Sequence, residues 1–294
     1  MKNIIVILLL FFAGLCLTAF AAQLIAALNI GDERSLLLCQ SAIQCVLAFA
    51  LPAWVAGRFI TKDKPAKFLE IDSPVNWRNI SGVIILFVIS LPFRNATVDW
   101  NASLHLPDSM SAVENLLREW ETNGEVTTQK ILATTSIGGL ISGVLIIGVL
   151  TGICEELFFR GALQNGLRLS GLSVGVSVWL AAFVFSTLHF QFFGFVPRLL
   201  MGAMFGYLLV WSRSLWVSAM AHSLNNSMVV IVYWLSQKGY FGEHDFANIG
   251  VSNGQFPILA LGSAASICIF LYLFRNYFFK NGKEDRRSDI SRHN

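Results

Sequence analysis

The sequence predicts an all-α fold, a polytopic membrane helix bundle of about eight transmembrane helices with both termini cytoplasmic. Three observations carry that expectation. Of 294 residues, 55% are hydrophobic and only 13% are charged, whereas soluble domains carry roughly 25% charged residues. Mean hydropathy is +0.61, and the apolar residues gather into runs of about 20, the length that crosses a bilayer. Lys and Arg collect in alternate connections, as loops retained in the cytoplasm do.

The spans follow in order. Ile4 to Ile30 comes after Met1-Lys2-Asn3. Ala19-Phe20-Ala21 has the form of a signal-peptide cleavage site, but the apolar character continues to Ile30, so a retained helix is expected. Leu36 to Phe59 is the second span, with a kink expected at Pro52. Ile80 to Phe93 is interrupted late by Pro92, and Ile131 to Cys154 is the fourth span. Leu172 to Phe193, Val196 to Trp211, Leu215 to Leu235 and Phe256 to Phe279 complete the set.

With Lys2 inside, the basic clusters share one side. Arg58, Lys62, Lys64, Lys67 and Arg78 separate spans two and three. Arg160 and Arg168 follow span four, and Arg213 separates six and seven. Lys280, Lys283, Arg286, Arg287 and Arg292 form a basic cytoplasmic tail, residues 280–294, suited to anionic lipid. The whole chain, 1–294, reads as a single transmembrane domain.

The segment around 95–130 falls outside and is rich in acids: Asp99, Asp108, Glu114, Glu119, Glu121 and Glu125. Within it, Met110, Val113, Leu117 and Trp120 recur at helical spacing, and Ser111 with Glu114 has capping-box spacing. It is expected to be an amphipathic helix, lying on the membrane or covering the bundle.

Other classes are disfavoured. Net charge is only +3, and no basic patch interleaves with aromatics, so nucleic acid is not an expected partner. Cys16, Cys39, Cys45, Cys154 and Cys268 sit in or beside apolar runs without a CxxC and read as small buried hydrophobes. No internal repeat points to an inverted-repeat transporter.

Against this background, GICEELFFRG, Gly152 to Gly161, places two acids and a base beside the greasiest run. Ionisable groups near hydrocarbon are costly unless paired or facing a wet cavity. On a helix, Glu156 and Arg160 are i,i+4 neighbours and form an ion pair, while Glu155 points about 100° away and stays available. An interfacial pair closing a helix end is the plainer alternative. FSTLHF places His189 late in an almost wholly apolar run, with Phe185 one turn earlier on its face. AHSLNNS puts His222, Asn225 and Asn226 at i, i+3 and i+4 on one face. Each polar residue alone could be helix–helix glue. Together they suggest the wall of a polar cavity.

A carboxylate in a dry pocket can serve as general base and, with a histidine, deprotonate a water. A second histidine and an asparagine amide can donate to a developing oxyanion. That set suffices for peptide hydrolysis without a covalent intermediate. The rival chemistry is a Zn²⁺ ion held by Glu155, His189 and His222. No HExxH is present, however, and no serine or cysteine stands in a nucleophile context.

EELFFR, FSTLH and HSLNN, in this order on successive apolar segments, resemble the CAAX protease and bacteriocin-processing family, also called the ABI family. Its EExxxR, FxxxH and HxxxN/D pattern is filled by Glu155-Glu156-Arg160, Phe185-His189 and His222-Asn226. The resemblance covers roughly residues 131–236, which would be the catalytic core. It implies an intramembrane endopeptidase in which Glu155 and His189 activate water and His222 and Asn226 form the oxyanion site. Glu156 and Arg160, with Phe185, would hold the site together. It implies no cofactor, with Zn²⁺ as the alternative. The expected partners are the bilayer and a peptide or protein substrate, membrane-bound or not. The expected location is the plasma (inner) membrane of a prokaryote. Two rival functions are a non-enzymatic peptide-binding or immunity protein that keeps the fold, and a transporter using the buried carboxylate as a proton relay.

Overall fold

The computed structural model describes residues 2–28, 31–61, 64–240, 242, 246, 248–251 and 257–292, with side chains through residue 276. Among the described residues there is no strand. The helices are α1 (Lys2–Leu28), α2 (Glu33–Thr61), α3 (Trp77–Ala102), α4 (Ser111–Leu132), α5 (Ile137–Leu169), α6 (Val174–Thr187), α7 (Phe195–Ser212), α8 (Leu215–Gln237) and α9 (Ile258–Arg292). A single turn, Pro65–Phe68, lies between α2 and α3. Seven described helices are long and apolar enough to cross a membrane. The eighth expected span is α6, apolar but only 14 residues long. At 1.5 Å per residue it rises about 21 Å, less than a hydrocarbon core of about 30 Å.

Three expected boundaries are corrected. The fourth span does not stop at Cys154; α5 runs on through both glutamates to Leu169 as a helix of 33 residues. Two wider π-helical segments, Val144–Leu150 and Leu157–Gln164, flank the turn that bears the glutamates. Such segments are common where a helix is shaped for function.

The third span does not end near Pro92. Proline lacks an N–H and disturbs the helix around it, yet α3 continues to Ala102. Ser263 of α9 repairs the break: its hydroxyl accepts from Phe93 N–H at 3.2 Å and donates to Ile89 O. In α2, the π segment Cys45–Ala50 ends two residues before Pro52, with Leu51 N–H bonded to Val46 O.

The outer segment accordingly shrinks, because residues 95–102 belong to α3. Its helix, α4, has no side-chain cap at its N-terminus, so Ser111 and Glu114 form no capping box. Glu114 reaches back over the preceding loop instead. It accepts from Leu106 N–H at 2.8 Å and pairs with Arg118 and His105. These three donors, the Leu106 N–H foremost, hold its carboxyl down to about 2. The α4 helix lies against the bundle: Glu121 accepts from Phe193 N–H at 3.0 Å, and Lys130 pairs with Glu33 at 2.7 Å. Burial raises Glu121 above the usual carboxylate range. Met110, Val113 and Trp120 stay exposed, with the Trp120 ring edge-on to Phe190 at 6.1 Å.

Two larger apolar cores hold the bundle, beside a small one of Val178, Ala182 and Ala203. The first joins α1, α2, α5 and α6 through Phe11, Phe49, Phe158, Phe159, Leu163 and Phe185. Phe11 stacks on Phe158 at 4.7 Å, and Phe159 meets Phe185 edge-on at 5.1 Å. The second joins α3, α7, α8 and α9 through Leu86, Phe205, Leu208, Val217 and Phe274. Cys45 and Cys154 are buried, but Cys16, Cys39 and Cys268 are exposed. The expectation of five buried cysteines therefore fails for three. Side chains of the basic tail, residues 280–294, lie outside those described.

Candidate active site

Helix α5 can bring its polar residues to α8 because the contact is made of small residues. A Cβ added at Gly152 would stand 2.8 Å from the Ser223 backbone N, and one at Gly148 would stand 3.1 Å from Ser227 Cα. Gly148 and Gly152 thus face Ser227 and Ser223, each pair one helical turn apart. Close approach through small residues is how membrane helices pack without a hydrophobic drive between them. It sets Glu155 and Glu156, the next turn of α5, beside His222.

The two glutamates have different surroundings. Glu156 is fully buried and fully engaged. Its Oε1 lies 2.7 Å from Arg160 Nη1 and accepts from His222 Nδ1 at 2.8 Å. Its Oε2 accepts from the Ser218 hydroxyl. Arg160, equally buried, donates from Nη2 to Gly202 O at 3.0 Å. One turn on, Gln164 Nε2 donates to Gly206 O at 3.2 Å. Arg160 and Gln164 therefore fasten α5 to the glycine face of α7.

Glu155 is less engaged: its Oε2 lies 3.7 Å from His222 Nε2, beyond hydrogen-bond distance. Its side chain keeps 12% of its surface exposed. It lines a cavity of about 350 Å³ together with His189, Asn226, Cys45, Thr128 and Thr151.

His189 stands on the turn that ends α6. Its Nδ1 donates to Phe185 O at 2.8 Å, so its Nε2 is left as an acceptor. Phe185 does more than that. Its ring meets His189 edge-on at 4.8 Å and His222 at 5.7 Å, and Arg160 lies 4.7 Å from its centroid. Phe205 stacks on the other side of His222 at 5.0 Å.

The expected shared face of His222, Asn225 and Asn226 divides. Asn226 turns to the Glu155 cavity and donates to Ile147 O at 3.4 Å. Asn225 turns away, its Oδ1 accepting from Arg94 Nη1 at 2.5 Å. Glu155, His189, His222 and Asn226 therefore come together, while Asn225 faces another cavity. Ser218, Gln164, Gly202, Gly206 and Phe205 were not anticipated. Only Ser218 carried a legible signal, being one turn before His222 on α8.

Residues 137–228 match the family described as type II CAAX prenyl endopeptidase Rce1-like. That segment is an Rce1-like domain. The match includes Glu155, Glu156, Arg160, Phe185, His189, His222 and Asn226. No curated protein and no solved structure matches the chain. A larger cavity of about 670 Å³ opens between α4 and the Rce1-like domain, with Glu121, Glu125, Gln191 and Arg198 in its wall. It shares Thr128, Leu132 and Val229 with the Glu155 cavity, so the two cavities adjoin beneath α4.

Among the described residues, no group of three His, Cys, Asp or Glu side chains could hold a metal ion.

Proposed function

We propose that this chain is an intramembrane endopeptidase that hydrolyses a peptide bond with a water activated by Glu155 and His189. The observation that carries the reading is the division of labour between adjacent glutamates. Glu156 is consumed by Arg160, Ser218 and His222, whereas Glu155 faces a cavity shared with His189 and Asn226.

In this reading, a peptide enters through the cavity under α4 and its scissile carbonyl settles in the Glu155 cavity. Glu155 takes a proton from a water that His189 Nε2 helps to orient. The hydroxide adds to the carbonyl carbon, and the carbonyl oxygen becomes an oxyanion. Asn226 Nδ2 and His222 Nε2 donate to it. Because His222 Nδ1–H is committed to Glu156, an Nε2–H exists only when the imidazole carries both protons. Glu155 then returns its proton to the leaving nitrogen as the C–N bond breaks. No metal takes part. Glu156, Arg160 and Phe185 touch no reacting atom and act by positioning His222 and His189.

The setting is the plasma membrane of a prokaryote, with both termini cytoplasmic. The substrate is a peptide or protein segment that reaches the site from the membrane or its surface.

The test compares peptide termini in membranes of cells making wild type or Glu155→Gln at matched levels. New termini made by wild type and lost in Glu155→Gln, with the variant's melting temperature unchanged, are expected. Wild-type cleavage by Glu155→Gln would remove the base from the scheme. No new termini with either folded protein would move weight to a peptide-binding or immunity role.

A further inference from the structure

A separate cavity of about 340 Å³ lies between α3, α7, α8 and α9. That size falls within the range of small-molecule sites, roughly 300–1,000 Å³. It shares no lining residue with the Glu155 cavity. Phe205 stands between the two, lining this cavity while its ring stacks on His222.

The wall is apolar except at one end, where Arg94 is its one ionisable side chain that carries charge at neutral pH. Arg94 donates to Asn225 Oδ1 at 2.5 Å and lies 5.4 Å from the Phe87 ring centroid. Among the described residues, no carboxylate pairs with it. An amide oxygen and a ring face do not neutralise a guanidinium on a membrane helix. A planar anion that meets its donors two at a time would.

The shape of the site adds to the argument. Val83, Leu86, Phe87, Ser90 and Arg94 line it from one face of α3. From Val83 to Arg94 the helix rises about 16 Å. The cavity is thus a slot with a cation at one end and aliphatic and aromatic walls along its length. A single long-chain carboxylate has the matching polarity. A diacyl lipid would leave its second chain outside a slot of about 340 Å³.

We propose that this slot binds a long-chain fatty carboxylate, its head forked on Arg94 and its chain lying along Phe87, Leu86 and Val83. The site meets the catalytic side through Phe205 and Asn225, and it shares Pro197 and Met201 with the cavity under α4. Asn225 Nδ2 donates to Asn226 Oδ1 at 3.2 Å, and Asn225 Oδ1 is the atom the carboxylate displaces from Arg94.

The test uses the full chain in non-ionic detergent with radiolabelled palmitate as probe. Competitors are hexadecanol, which has the chain without the charge, and phosphatidylglycerol. Saturable binding of one palmitate per chain is expected. Arg94→Gln weakens it about tenfold or more, the loss of a charge-assisted contact. Hexadecanol competes at least about tenfold less well than palmitate, for the same reason. Leu271→Trp fills the slot from α9, distant from the catalytic helices, and also weakens binding. Both variants should melt as wild type does. If Arg94→Gln fails to fold, the hexadecanol comparison and Leu271→Trp still decide. No saturable binding, equal affinity in folded Arg94→Gln or unchanged binding in Leu271→Trp overturns the proposal. So does stronger displacement by phosphatidylglycerol than by palmitate.

Discussion

Replacing Arg160 with Ala tests whether the buried ion pair is what holds the site. Arg160 and Glu156 are both fully buried, with Nη1 and Oε1 2.7 Å apart. At an effective dielectric of about 20, two unit charges at that distance attract by about 6 kcal/mol. Desolvation offsets much of this, so the net value of the pair is smaller. The loss on breaking it is large for another reason: Glu156 remains buried, with only Ser218 and His222 to answer its charge. Breaking a buried pair from one side costs about 3–5 kcal/mol. At about 2–4 °C per kcal/mol, the melting temperature should fall by about 6–20 °C. Arg160→Lys should lie between wild type and Arg160→Ala. An ammonium keeps the charge but not the fork that reaches Glu156 and Gly202 together. The decisive assay is thermal unfolding in detergent of Arg160→Gln, Glu156→Gln and the double variant. The double should be about 2 kcal/mol or more milder than the sum of the singles. Additive singles, or an Arg160→Ala that melts with wild type, would refute the structural role. A stable but inactive Arg160→Ala would place the arginine on the substrate instead.

Three further outcomes follow from the same geometry. Gly152→Leu should lower yield and melting temperature sharply, since even a Cβ there meets the Ser223 backbone at 2.8 Å; unchanged yield would mean that the α5–α8 seam can open freely. Glu114 is depressed to about 2 by Leu106, Arg118 and His105. Its contribution is therefore complete above an unfolded carboxylate's value of about 4.3 and is lost as pH falls through 2. Hydrogen-exchange protection over residues 104–118, taken relative to the intrinsic rate at each pH, should fall between pH 5 and 2 in wild type, and Glu114→Gln should show the low protection already at pH 7. Cleavage should survive dialysis against a strong zinc chelator; loss of activity restored by Zn²⁺ alone would overturn the metal-free scheme.

Much of the fold could be read from hydropathy, because a bilayer demands long apolar helices and satisfied backbone. Where the reading failed, a side chain from a distant helix had changed the local rule. Hydropathy ended the fourth span at Cys154 because two acids follow. The helix continues because Arg160, Ser218 and His222 neutralise one of those acids and a cavity receives the other. Hydropathy and proline chemistry ended the third span near Pro92. The helix continues because Ser263, 171 positions later, bridges the broken bond between Phe93 and Ile89. Neither partner is visible from the segment it rescues.

The site shows the same boundary between local and long-range information. That Glu156 would meet Arg160 while Glu155 would not was legible from i,i+4 spacing on one helix. That His222 would give its Nδ1–H to Glu156 was not, because it depends on the Gly148–Gly152 and Ser223–Ser227 seam between helices 66 residues apart. This contact also gives the paired acid a purpose beyond neutralising an arginine. Arg160 fixes Glu156, Glu156 fixes the imidazole, and Phe185 and Phe205 hold the ring from two sides. His222 Nε2 is thereby aimed at Glu155 across 3.7 Å. A water or a substrate carbonyl placed at the Glu155 cavity would meet a base and a donor already oriented. Preorganised donors of that kind act without reorganising during the reaction. The adjacent glutamates therefore need not compete for one role. In the proposed scheme one supplies the charge that orients the donor, and the other is left free to move a proton.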